Sequence, residues 1–165
     1  MQRYRISGEI CTFAGKKIDS IMTINFYAED APMPSIREEQ VREWIHRVAE
    51  GYGKKVGDIS YIFCSDEKIL EVNRQFLQHD YYTDIITFDY TSGKKIAGDI
   101  FISLDTVRTN AEKFETEYDE ELHRTIIHGI LHLCGINDKG PGEREVMEAN
   151  ENSALALLSQ LRMDN

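Results

Sequence analysis

Short stretches with apolar residues at every second position alternate along this chain with longer ones in which they recur three and four apart. The first period is that of a half-buried strand and the second that of an amphipathic helix. Ile21 to Tyr27 sets Ile24 and Phe26 against polar neighbours and predicts the first strand. Asp30 to Pro34 breaks it. Ser35 followed by Glu38 is a capping-box pattern, so a helix is expected from there to about Gly51, with Val41, Trp44, Ile45 and Val48 as its buried stripe. Trp44 is read as core packing.

Ile59 to Cys64 predicts a second strand, and Ser65 or Asp66 caps a helix through Ile69, Leu70, Val72 and Phe76. Strands at Asp84 to Tyr90 and Ile96 to Ser103 flank the turn Thr91-Ser92-Gly93. Leu104 to Phe114 reads as helical. Glu117 to Cys134 carries the best helical pattern, with Leu122, Ile126, Ile127, Ile130 and Leu133 on one side and Gly135 as its stop. A last amphipathic helix spans Glu143 to Leu161. This order predicts an α+β fold: a single mixed-direction sheet of about four strands with four or five helices packed against it. Residues 1–20 precede the first core-like element and are read as an upstream extension, leaving 21–165 as one domain.

Composition narrows the class. The 165 residues, 41% hydrophobic and 10% aromatic, are enough for one core without disulfides. No apolar run approaches the roughly 18 residues of a membrane span, and the first 20 residues lack a signal-peptide core, so a cytoplasmic protein is expected. Cys11, Cys64 and Cys134 form no C-x-x-C pair, and Cys64 and Cys134 are expected to be buried inert thiols. A formal net charge of −10 disfavours broad nonspecific nucleic-acid binding and requires any such contact to be local.

Candidate chemistry is concentrated on the best-patterned helix. His128 and His132, four residues apart, project from one face one turn apart and can share an ion. Gly135 ends the helix three residues later, and the returning chain can deliver Asp138 to the same face. Three protein ligands with a fourth position open is the arrangement of a catalytic rather than a structural site. Two imidazoles and a carboxylate suit one Zn2+ ion, with iron, manganese, cobalt and nickel also admissible. Zinc proteases of the helical two-histidine design place Glu after the first His. Here that residue is Gly129, which argues against their chemistry. His46 is expected on a solvent-exposed face and His79 in a polar connection. His123 lies about 140° around the helix from His128, outside the site.

The run His128-Gly129-Ile130-Leu131-His132-Leu133-Cys134-Gly135 resembles the signature of the YbeY family, metal-dependent endoribonucleases implicated in ribosomal RNA maturation. The stretch from Asn73-Arg74-Gln75-Phe76-Leu77 to Thr83-Asp84-Ile85-Ile86-Thr87-Phe88 is similar to a second motif, and Gly98-Asp99-Ile100-Phe101-Ile102 to a third. Together they cover about Met22 to Leu158. The resemblance implies a single-strand-specific, metal-dependent endoribonuclease of ribosomal RNA, with RNA and ribosomal proteins as partners. RNA would meet a local basic patch, for which Lys94, Lys95, Lys139 and Arg144 are candidates. This chain departs from the family twice. Asp138 stands where members usually have a third His. Leu77 stands where they have an Arg thought to act on the RNA phosphate, and Arg74, three residues earlier, is the candidate catalytic substitute. Leu77 also keeps open a metal-stabilised assembly factor without turnover, and the ligand set alone admits a metal hydrolase of another substrate.

Overall fold

The computed structural model describes residues 23–77 and 83–164. Strands β1 (Ile24–Glu29), β2 (Lys55–Cys64), β3 (Ile85–Asp89) and β4 (Lys95–Ser103) form one sheet in the order β1-β2-β4-β3. β1, β2 and β4 are parallel, and β3 is antiparallel to β4. The period-two pattern sorts side chains between the faces. Ile59, Tyr61 and Phe63 of β2 and Ile100 and Ile102 of β4 enter the main core. Ile62, Cys64 and Phe101 point the other way, into a smaller cluster with Ile69, Val72 and Ile86.

Five helices complete the α+β architecture: α1 (Glu38–Gly51), α2 (Asp66–Val72), α3 (Leu104–Lys113), α4 (Tyr118–Leu133) and α5 (Glu143–Asp164). All five apolar stripe residues of α4 are buried, and so are Leu131, Thr125 and Gly129 between them. The helix is enclosed by the sheet, α3 and α5. Trp44 of α1 is fully buried and donates its indole N–H to the Ala154 carbonyl at 2.7 Å, fastening α1 to α5. α2 is capped by Ser65, whose hydroxyl accepts the Lys68 N–H at 3.2 Å.

Several boundaries differ from the sequence pattern. α1 begins at Glu38 behind an Arg37 cap that makes no side-chain bond, so the Ser35 capping box does not form. Ile36 packs against the main core instead, and this holds the preceding segment out of the helix. The helix expected through Phe76 ends as a π-turn at Asn73–Leu77, where Phe76 meets the Phe88 ring edge-on. His46 is half-buried with Nε2 shut away from solvent, because its neighbours Trp44, Ile45 and Val48 draw α1 deeply into the core. The segment 1–20, Cys11 and His79 lie outside the described residues.

Candidate metal centre

α4 closes with two hydrogen bonds, Gly135 N–H to the His132 carbonyl at 2.9 Å and Ile136 N–H to the Leu131 carbonyl at 3.0 Å. These are the paired bonds of a Schellman motif. They require a left-handed residue, which Gly135 supplies at φ 98°. Ile136 then packs on the main core and its backbone hydrogen-bonds His132. The reversal brings Asp138 over the face that carries the two histidines.

Three donor atoms converge there. His128 Nε2 and His132 Nε2 are 3.0 Å apart, and Asp138 Oδ2 lies 3.2 Å from the first and 3.4 Å from the second. Ligands about 2.0–2.1 Å from a tetrahedral zinc ion are about 3.3 Å from one another. The triangle therefore fits one such ion and leaves its fourth position to solvent or substrate. Each of the three residues is half-buried.

The imidazole of His128 is held from behind. Its Nδ1 is 2.6 Å from Glu151 Oε2, and Glu151 Oε1 accepts from Arg124 at 3.1 Å. The same guanidinium donates to Asn152 at 2.8 Å. A carboxylate at Nδ1 keeps the proton there and leaves the Nε2 lone pair for an ion. Burial pulls the His128 pKa down, but Glu151, Asp84 and Asp138 outweigh it and leave the group above its ordinary value. His132 falls below its ordinary value through burial and then through the neighbouring His128. Burial likewise raises Asp84, against the opposing pull of His128, and raises Glu121, against that of Arg124.

Sequence reasoning did not find Glu151 or Asp84. Glu151 had a legible signal: it shares the buried stripe of α5 with Met147, Ala154, Leu158 and Leu161, where a charge demands a partner. Asp84 belongs to the second motif and precedes β3.

Two clefts meet at the triad. One, of about 530 Å³, runs along β3 past Asn73, Leu77, Thr87 and Lys139. The other, of about 590 Å³, lies among α3, α4 and α5 and includes Phe114, Arg124 and Arg144. Asp84, His128 and Asp138 border both. Leu77 is thus on a cleft wall. Arg74 is exposed on the same π-turn, and among the described residues it borders neither of the two clefts. A π-turn winds less per residue than an α-helix, so the near-alignment of positions 74 and 77 expected from helical geometry is not kept. Lys139 and Arg144 stand one at each cleft, while Lys94 and Lys95 lie on the β3–β4 hairpin and border neither.

His123 is a satisfied core residue: it is buried, its ring nitrogens contact the Asp119 carbonyl and Arg162, and Trp44 packs on it. Gly129 is fixed by space as well as chemistry. A Cβ there would meet Ile100 Cδ1 at 3.0 Å and Ile85 Cδ1 at 3.2 Å, so a larger side chain would crowd the sheet.

Comparison with known proteins places the chain in a family. A family described as Endoribonuclease YbeY matches residues 24–159. The Endoribonuclease YbeY of Parabacteroides distasonis is 77% identical over 139 residues, 84% of this chain and 98% of that protein. Its counterpart in Bacteroides fragilis strain ATCC 25285 is 68% identical over 139 residues, 84% of this chain and 100% of the relative. A Thermotoga maritima protein solved in solution superposes with a TM-score of 0.59 at 25% identity, covering 86% of this chain and 95% of its own. A match over residues 24–159, which takes in the sheet, the metal-site residues and those that hold His128 from behind, makes this chain a member of the YbeY family of endoribonucleases.

Proposed function

We propose that this YbeY-family endoribonuclease cuts single-stranded RNA at one divalent ion, Zn2+ by preference, held by His128, His132 and Asp138. The convergence of three ligand atoms where two clefts meet carries this reading. An endonuclease needs room for the strand on both sides of the scissile phosphate, and the two clefts supply it.

An ion bound there supplies a Lewis acid for the phosphoryl oxygen and brings the pKa of a bound water towards neutrality. The protein's part is positioning and charge. Glu151 accepts the Nδ1–H of His128 and orients the ring. Asp84, bordering both clefts outside the ligand triad, is the carboxylate assigned to take the proton of the attacking water. Lys139 and Arg144 flank the triad and offer charge to the phosphates of the strand. Arg74, exposed on the π-turn outside the β3-side cleft, meets the strand beyond that cleft, since Leu77 occupies the family's Arg position.

Ribosomal RNA during ribosome maturation is the substrate this reading names, with ribosomal proteins nearby, in the cytoplasm. No helix among the described residues is long and apolar enough to cross a membrane. Residues 1–20 are taken as an extension preceding the domain. The deciding experiment measures cleavage of single-stranded ribosomal RNA fragments, with metal content, for wild type and His128→Ala. The variant is expected to lose ion and cleavage together; full cleavage by His128→Ala would overturn the reading.

A further inference from the structure

The cleft among α3, α4 and α5 carries features that ion binding does not use. Phe114, which follows the last residue of α3, is 52% exposed on its wall, with Lys113 Nζ over its ring at 5.5 Å from the centroid. Thr116 Oγ1 is buried on the same wall with no hydrogen-bond partner. An exposed phenyl ring forgoes the transfer free energy of burial, and a buried hydroxyl without a partner bears a desolvation cost. A ligand with a flat apolar face relieves the first.

Charge decides what that ligand is. Asp84, Glu121, Glu148 and Glu151 border the cleft, against Arg124 and Arg144. Arg124 is already engaged by Glu151 and Asn152. Away from Arg144, a phosphodiester lying along this wall would meet like charge. A nucleobase would not. Its ring stacks on an aromatic side chain, and its amino and imino N–H groups donate to carboxylate oxygens.

We propose that this cleft is a base-binding subsite, seating a nucleobase next to the scissile phosphate with its face on Phe114. Carboxylate walls favour adenine, guanine and cytosine, which carry exocyclic amino groups, over uracil. The inference rests on the hydrolytic reading of the ion site and adds a recognition element outside the triad. His128 and Asp138 border the cleft, so a base seated there leaves its phosphate at the ion.

The test uses the Zn2+-loaded protein and a short single-stranded oligoribonucleotide with hydrolysis-resistant phosphorothioate linkages, its binding followed by fluorescence anisotropy. A stacked base is worth about 1–3 kcal/mol, so Phe114→Ala is expected to bind about 5- to 150-fold more weakly, while Phe114→Trp binds like wild type. A series with one abasic position each adds a readout that fold damage does not move. At the stacked position the abasic change and Phe114→Ala are each costly but not additive. Equal binding by wild type and Phe114→Ala, or additive losses at every position, would overturn the subsite. Cleavage of the unmodified oligoribonucleotide by His128→Ala keeps the two readings apart. If His128→Ala is inactive and Phe114→Ala binds normally, the subsite alone falls; if His128→Ala cleaves at the wild-type rate, the ion-site reading falls.

Discussion

His128 Nδ1 and Glu151 Oε2 are 2.6 Å apart, and this contact ties α4, which carries both candidate histidines, to the last helix α5. Only with the proton on Nδ1 does His128 present a lone pair from Nε2 to an ion, so the carboxylate sets the ligand's tautomer. Glu151→Gln keeps the shape and removes the charge. Zinc affinity is expected to fall about 10- to 100-fold, the usual effect of losing such a partner. Competition with a chromophoric chelator measures it, alongside far-UV circular dichroism to follow the fold. Unchanged affinity would take Glu151 out of the site.

Asp138 is the proposed ligand on the returning loop, and its substitution separates coordination from folding. Asp138→Ala leaves two imidazoles and is expected to purify with little ion and to cleave RNA poorly. Asp138→His keeps three ligands, loses a negative charge and shifts preference from manganese towards zinc. Metal analysis of protein purified from medium containing both metals reads this directly. Full ion content and activity in Asp138→Ala would exclude the third ligand.

How much of this was legible in the sequence depends on how local each cause is. The four strands and the α4 stripe follow from residue period, and Gly135 marks the reversal because only a left-handed residue makes that turn cheaply. His128, His132 and Asp138 are close in sequence, so one helix and one loop assemble them. Glu151 comes from a helix 23 residues further on, and its meeting with His128 depends on how α5 crosses α4. The false capping box at Ser35 has the same origin: the local pattern was present, and the core's claim on Ile36 overrode it.

Gly129 allows α4 to approach the sheet closely. Gly129→Ala gains roughly 1 kcal/mol of helix propensity but sets a methyl group 3.0 Å from Ile100 Cδ1. Overpacking of this kind costs about 1–3 kcal/mol, so a net loss of about 1 kcal/mol is expected. That corresponds to a melting temperature lower by about 2–4 °C. Differential scanning calorimetry decides it, and a variant as stable as wild type would show that α4 can move away from Ile100 without cost.

The two described cysteines should differ in reactivity from ordinary thiols. Burial, with Glu29 adding to it, pushes Cys64 up to about 12, and burial pushes Cys134 up to about 11, each from an ordinary value of 9.0. The folded state therefore holds protons that the unfolded chain releases. Stability from this source is intact below pH 9 and declines as pH rises from there towards 11 and 12. At pH 8 iodoacetamide should modify half-buried Cys134 slowly and leave buried Cys64 intact, as read by peptide mass spectrometry. Rapid alkylation of Cys64 in the native protein would contradict its burial.

Arg74 and Leu77 share the π-turn beside the β3-side cleft, but Leu77 is the one on the cleft wall. An apolar side chain there gives a phosphate nothing to bind. If Arg74 instead meets the strand outside the cleft, Arg74→Ala removes one phosphate contact. The slope of log affinity against log salt for single-stranded RNA then becomes shallower by about 0.7. Leu77→Arg should change it by the same amount in the opposite sense and raise the cleavage rate, because its charge would enter the cleft that Asp84, His128 and Asp138 border. Salt titrations of binding to an uncleavable oligoribonucleotide, run beside single-turnover cleavage, test both. An Arg74→Ala protein with the wild-type salt slope and rate would show that the phosphate is held by other residues, with Lys139 and Arg144 at the two clefts next to be tested.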